Sequence, residues 1–188
     1  MPEKIKLPTL TVQYRDVFLF KTLYFMIYEW LMDNGYHDED GGEKRLEKHY
    51  EEHRHGDLRH YRIWWRPFRI PANSGFVKYH LDIDYLGLAI QQVEIMREGR
   101  RIKAQSGEIN VFINGWIEVD FQEYFKKNFI MRYFEDTFKT RWMKKNLEGH
   151  KAELKRDAFR LHGVVKKFFD LWHSMPIEVL FHGKYEEV

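Results

Sequence analysis

Three short turns constrain this chain more than any other feature. His55-Gly56-Asp57-Leu58, Arg97-Glu98-Gly99-Arg100 and Gln105-Ser106-Gly107-Glu108 each set two central residues, one of them glycine, between runs that alternate apolar and polar. Two-residue turns with glycine are the favoured hairpin connections. Side chains alternate between faces along a strand, so each turn implies a register that the others can check. Folding about Gly56-Asp57 sets Glu51 opposite Arg62 and Glu47 opposite Arg66. Folding about the looser "PANSG" (Pro71 to Gly75) pairs Tyr61 with Tyr85, Ile63 with Ile83 and Trp65 with Leu81. The other face then pairs Arg62 with Asp84 and sets Arg66 near His80. Glu98-Gly99 pairs Ile95 with Ile102, and Ser106-Gly107 pairs Val111 with Ile102. Apolar meets apolar and opposite charges meet. An antiparallel meander is therefore expected from about Leu46 to Phe121, with a kink at Gly87.

Helical spacing flanks the meander. Val17, Phe20, Tyr24, Ile27 and Leu31 alternate steps of three and four, and Asn34 and Gly35 supply a C-cap. In the C-terminal region, read as helical from about Tyr124 to Trp172, Leu154, Ala158, Leu161, Val165, Phe168 and Trp172 keep the same spacing, with Leu147 one heptad earlier. Ile5 to Gln13 reads as a first strand and Met175 to Tyr185 as a last strand or extended tail. The fold class expected is α+β: a meander of about five to seven strands packed against an N-terminal buried helix and a long C-terminal helix. No repeat or Pro/Gly/Ser linker divides the 188 residues, which read as one domain, 1–188. The element order resembles the helix-grip domains, in which a curved sheet wraps a long helix around an apolar cavity.

Composition excludes several classes. The chain has no cysteine, so disulfides and thiolate metal sites are out, in keeping with a cytoplasmic location. "MPEKIKLPTL" lacks the apolar stretch of a signal peptide. Val17 to Met32 contains Lys21 and Glu29 and falls short of the roughly 20 residues needed to cross a bilayer. The net charge of +2 gives no general attraction to nucleic acid. Aromatics reach 17%, an excess carried largely by Tyr and Trp, which favour pocket walls and interfaces.

Five constellations carry chemistry. His49, Glu52 and His53 form H-x-x-E-H, a zinc motif on a helix. On a strand Glu52 turns away from the two histidines, so the hairpin breaks the motif. His53, His55 and His60 cluster around the Gly56 turn. Three imidazoles could hold Zn, Ni or Cu, though solvated turn histidines are the plainer expectation. Arg62, Trp64 and Arg66 on one face, with Arg69, would suit a stacked base and its phosphates, but Glu47, Glu51, Asp82 and Asp84 share that face and oppose it. His80, Asp82 and Asp84, with Glu118 and Asp120, read as ion-pair partners rather than a cation site. On the opposite face Tyr61, Ile63, Trp65, Tyr79 and Tyr85 form an aromatic patch, with Glu52 as its expected carboxylate. An aromatic cavity with a few polar handles is the usual form of a small-ligand site.

No nucleophile elbow, phosphate-binding loop or dinucleotide fingerprint is present. The expectation is a non-catalytic domain that needs no cofactor and binds an apolar or amphipathic small ligand, or a partner segment, between sheet and helices. The alternatives are an assembly protein that self-associates through residues 147–172 and a single-stranded RNA-binding module.

Overall fold

The sheet is organised by one long hairpin. β6 (Val77–Arg97) and β7 (Arg100–Val119) pair from Val77↔Val119 to Arg97↔Arg100. The computed structural model describes residues 3–38, 46–72, 75–97, 100–119, 143–174 and 178–182. Along the outer edge of β7 lie β1 (Glu3–Lys6) and β2 (Leu10–Phe18), a single edge broken around Pro8. Along the other edge of β6 lie β5 (Phe68–Arg69), β4 (Leu58–Trp65) and β8 (Glu178–His182), and β3 (Glu47–His55) flanks β4. Among the described residues the result is one antiparallel sheet of eight strands. Two helices among the described residues complete the α+β fold: α1 (Phe20–Asp33) and α2 (Met143–His173).

Alternation decides the inner face. Val77, Tyr79, Leu81, Ile83 and Tyr85 of β6 and Ile109, Val111, Ile113, Ile117 and Val119 of β7 are buried in one cluster with Leu23, Ile27 and Leu31 of α1. From α2 the same cluster takes Leu154, Ala158, Leu161, Val165, Phe168, Phe169 and Trp172. The C-terminal stripe is thus spent on its own sheet. Phe159, next to Ala158 in the chain but off this stripe, is half exposed under Lys155. α2 continues through Gly149, and its expected start at Tyr124 lies outside the described residues. Val17 belongs to β2, not to α1. Among the described residues no helix is long and apolar enough to cross a membrane.

α1 ends in a Schellman motif. Tyr36 N–H donates to Leu31 O and Gly35 N–H to Met32 O, with Gly35 at φ 75°. That closure turns Tyr36 into the core, where it is fully buried.

The Gly56-Asp57 turn forms as expected, pairing His55 with Leu58 and Glu51 with Arg62. Gly56 sits at φ 60°. Gly56→Val should therefore cost roughly 1–2 kcal/mol, the penalty of a side chain in the left-handed region, while His55→Ala should be near neutral. A urea melt compares them, and equal effects would contradict a turn held by its glycine.

Three registers differ from expectation. Ile63 pairs with Tyr85 and Trp65 with Ile83, two residues from the predicted partners, so Arg62 faces Leu86 and Asp84 faces Trp64. Alternation fixes which face a residue takes, and a slip of two leaves that unchanged. A bulge between Glu47 and His49 sets Glu47 opposite Trp65 rather than Arg66. Gln105-Ser106-Gly107-Glu108 is no turn: β7 continues through it, opposite a bulge at Ala89 (φ 50°) that replaces the kink expected at Gly87. A Cβ on Gly107 (φ 154°) would lie 2.8 Å from Ala89 O, which is why glycine stands there.

Candidate functional site

The bulge in β3 builds the site. It turns Glu47 from the outer face to the inner one, where the Tyr24 hydroxyl of α1 donates to its Oε2. Around that bond stand the rings of α1, β4 and β6. Trp65 meets Tyr24 edge-on at 4.5 Å and Tyr85 at 5.2 Å, and Phe20 stacks on Tyr61 at 5.4 Å. Tyr61, Ile63, Trp65, Tyr79 and Tyr85 are all buried on the inner face, as alternation requires. Tyr61, Trp65 and Tyr85 meet the rings of α1, whereas Tyr79 lies farther along β6 against α2.

Glu52 stands beside Tyr61 on the inner side, as expected, but its charge is taken by arginines. Its carboxylate takes Arg54 at 2.7 Å and Arg59 at 3.5 Å, with the Tyr50 hydroxyl at 3.4 Å. Glu47 is the carboxylate among the rings. No sequence signal marked the bulge that moves it.

Two polar atoms in this wall lack a hydrogen-bond partner among the described residues: Trp65 Nε1 and Tyr85 OH. Both residues are about 99% buried, with 1% of their surface exposed. Leaving a buried donor unsatisfied costs about 1–3 kcal/mol. Trp65 Nε1 lies close enough to the Tyr24 hydroxyl to favour its ionised form, yet makes no hydrogen bond of acceptable geometry. Burial, with the Glu47 carboxylate, pushes Tyr24 well above the usual phenol range, and burial does the same to Tyr85. Tyr50, half exposed at the rim, is pushed up to about 12 by burial and by Glu52. These phenols stay neutral donors at any physiological pH.

A second polar cluster anchors α2. Arg69 Nη2 lies 2.8 Å from Glu153 and 2.9 Å from Asp157, and its guanidinium covers the Tyr36 and Tyr79 rings at 5.1 and 5.3 Å. Tyr36 donates to Asp157 at 2.9 Å. The Tyr79 hydroxyl lies 3.0 Å from Glu153 and 2.6 Å from His150 Nδ1. His150, Glu153 and Asp157 stand at i, i+3 and i+7, one helical face beside Leu154 and Ala158. That spacing is visible in the sequence, where the three residues look like a solvated helix flank.

Arg69 is thereby removed from the nucleic-acid set: it faces inward, away from Trp64. On the outer face Arg62 lies 3.6 Å from Glu51, and Arg66 lies 2.6 Å from Asp84 and 3.9 Å from Asp82, with its guanidinium 5.7 Å over Trp64. The carboxylates neutralise the arginines, as the sequence suggested, though Asp84 serves Arg66 instead of Arg62. His80 stacks on Trp116 at 3.6 Å and bonds Glu118 at 2.9 Å.

At the Gly56 turn His53 sits opposite His60, and the His55 and His60 rings are 6.0 Å apart. His53 is held by Glu51 at 2.7 Å, and His60 Nδ1 accepts from Ala89 N–H at 3.4 Å. His49 packs on Trp64, while Glu52 points inward, so H-x-x-E-H is split between faces. Among the described residues no group of three His, Cys, Asp or Glu is placed to hold a metal. A polar groove of about 420 Å³ opens at the Ala89 bulge, lined by Arg15, Asp16, Ser106 and Glu108, away from the aromatic wall.

Burial holds both His80 and His150 below the ordinary histidine range, against the opposing pull of Glu118 and Glu153 respectively. The unfolded chain protonates these histidines near roughly 6.5, so it binds more protons than the fold as pH falls below that value. Their contribution is complete above that pH and is lost on acidification. The urea midpoint should fall between pH 7 and pH 5, and fall less in the His80→Gln/His150→Gln double variant. A slope that the double variant leaves unchanged would contradict this assignment.

Set against known proteins, the chain matches no family model, and no curated protein or solved structure is significantly similar to it.

Proposed function

We propose that this chain is a non-catalytic binding domain whose ligand is a small apolar or amphipathic molecule held between α1 and the sheet at Trp65, Tyr85 and Glu47. The observation that carries the reading is the pair of buried polar atoms, Trp65 Nε1 and Tyr85 OH, without partners in a wall of aromatic rings. Aromatic area supplies affinity and the few polar atoms supply orientation. The rings are in mutual contact, so entry requires α1 to move from β3 and β4. The way in is the rim, where Tyr50 is half exposed and Tyr24 bonds Glu47.

Tyr85→Phe tests the reading. Deleting an unsatisfied hydroxyl should raise the stability of the ligand-free protein by about 1–3 kcal/mol. The same change should weaken retention of a small molecule, seen by native mass spectrometry as an adduct that unfolding releases. A bare chain from the parent, together with a destabilised Tyr85→Phe, would overturn the proposal.

A further inference from the structure

We infer that the ligand taken at this site is an organic ammonium ion with an apolar body. This rests on the reading that the site binds a small molecule, and adds its chemical class. Glu47 is half buried on the inner face, and the partner of its carboxylate is the neutral Tyr24 hydroxyl. Among the described residues the cations of the surrounding strands are committed elsewhere: Arg66 to Asp84, Arg62 to Glu51, Arg54 and Arg59 to Glu52, and Lys48 to Asp38. The bulge that moved Glu47 inward took it away from Arg66 and left its negative charge against aromatic rings.

Aromatic faces attract cations through their quadrupoles, Trp most strongly. Tyr24, Trp65 and Tyr85 lie within 6.0 Å of one another by ring centroid, with Glu47 beside them. An anionic ligand would meet the Glu47 carboxylate. A neutral one would leave the Glu47 charge compensated by a phenol alone. An ammonium group answers the carboxylate and the ring faces together, while its apolar body lies along Phe20 and Tyr61. The unsatisfied Trp65 Nε1–H and Tyr85 hydroxyl then fix the orientation of such a ligand through any oxygen or π-face it carries.

The test compares phenethylamine with 2-phenylethanol by calorimetric titration of the full chain at neutral pH. The two share a skeleton and differ in the ammonium group. The amine should bind at least about ten-fold tighter, and Glu47→Gln, with its fold checked by circular dichroism, should bind both alike. Trp65→Phe keeps a ring and should weaken both probes, which serves if Glu47→Gln does not fold. Equal or tighter binding of the alcohol by the parent protein overturns the ammonium class and leaves the ligand site standing. Binding of neither probe also overturns the class, and the Tyr85→Phe and native mass experiments then judge the site separately.

Discussion

Replacing Asp157 with alanine is expected to cost about 3–5 kcal/mol of stability, the range for removing one partner from a buried ion pair. Asp157 is 4% exposed, is ion-paired to Arg69 and accepts from the Tyr36 hydroxyl. Alanine at 157 would strand the Tyr36 hydroxyl in the core and leave Arg69 with the more exposed Glu153, whose side chain is 45% accessible. Three elements meet at this carboxylate: the Schellman turn after α1, β5 and the first half of α2. Asp157→Asn keeps an acceptor for Tyr36 while losing the charge, so it should be the milder change. Denaturant melts of the two variants measure the difference. A loss below about 1 kcal/mol for the alanine variant would mean that the network behaves as a solvent-screened surface pair.

Leu161→Ala should cost about 2–5 kcal/mol, as for other large-to-small changes in a packed core. Leu161 is fully buried, between Ala158 and Val165 on the stripe that α2 lays on the inner face of the sheet. The measurement pairs a melt with a mass in solution. Destabilisation without a change of mass is expected. An unchanged melting temperature with a shift from oligomer to monomer would instead make the stripe an interface and favour an assembly role.

These two sites differ in how far the sequence revealed them. Leu161 and its neighbours repeat at helical spacing, and nothing competes with that signal, so their burial was legible. The polar residues that anchor the same helix were equally periodic, but His150, Glu153 and Asp157 look like an ordinary solvated flank until Tyr36, Arg69 and Tyr79 arrive from distant segments. Strand faces were legible for a related reason. Alternation sorts Tyr61, Ile63, Trp65 and Tyr85 onto one side whatever the register, so the two-residue slip at β4–β6 did no harm. Bulges break that parity, and the sequence hides them. Gly107 advertised a turn because glycine serves a turn and a close approach equally well. Glu47 gave no sign that it would leave the side of His49 and Glu51, and that single displaced residue supplies the charge in the proposed ligand site.

The tryptophan side chains offer the most direct view of that site. The chain has six tryptophans, and the ¹⁵N–¹H spectrum separates their indole groups, with Trp65→Phe assigning one signal. The protein as purified is compared with the same protein unfolded, desalted and refolded. A ligand between α1 and the sheet predicts that the Trp65 indole signal moves between the two preparations, while those of Trp64 and Trp116 on the opposite face stay in place. A Trp65 signal that is unchanged between the preparations, and unmoved by added phenethylamine, would contradict a ligand site there.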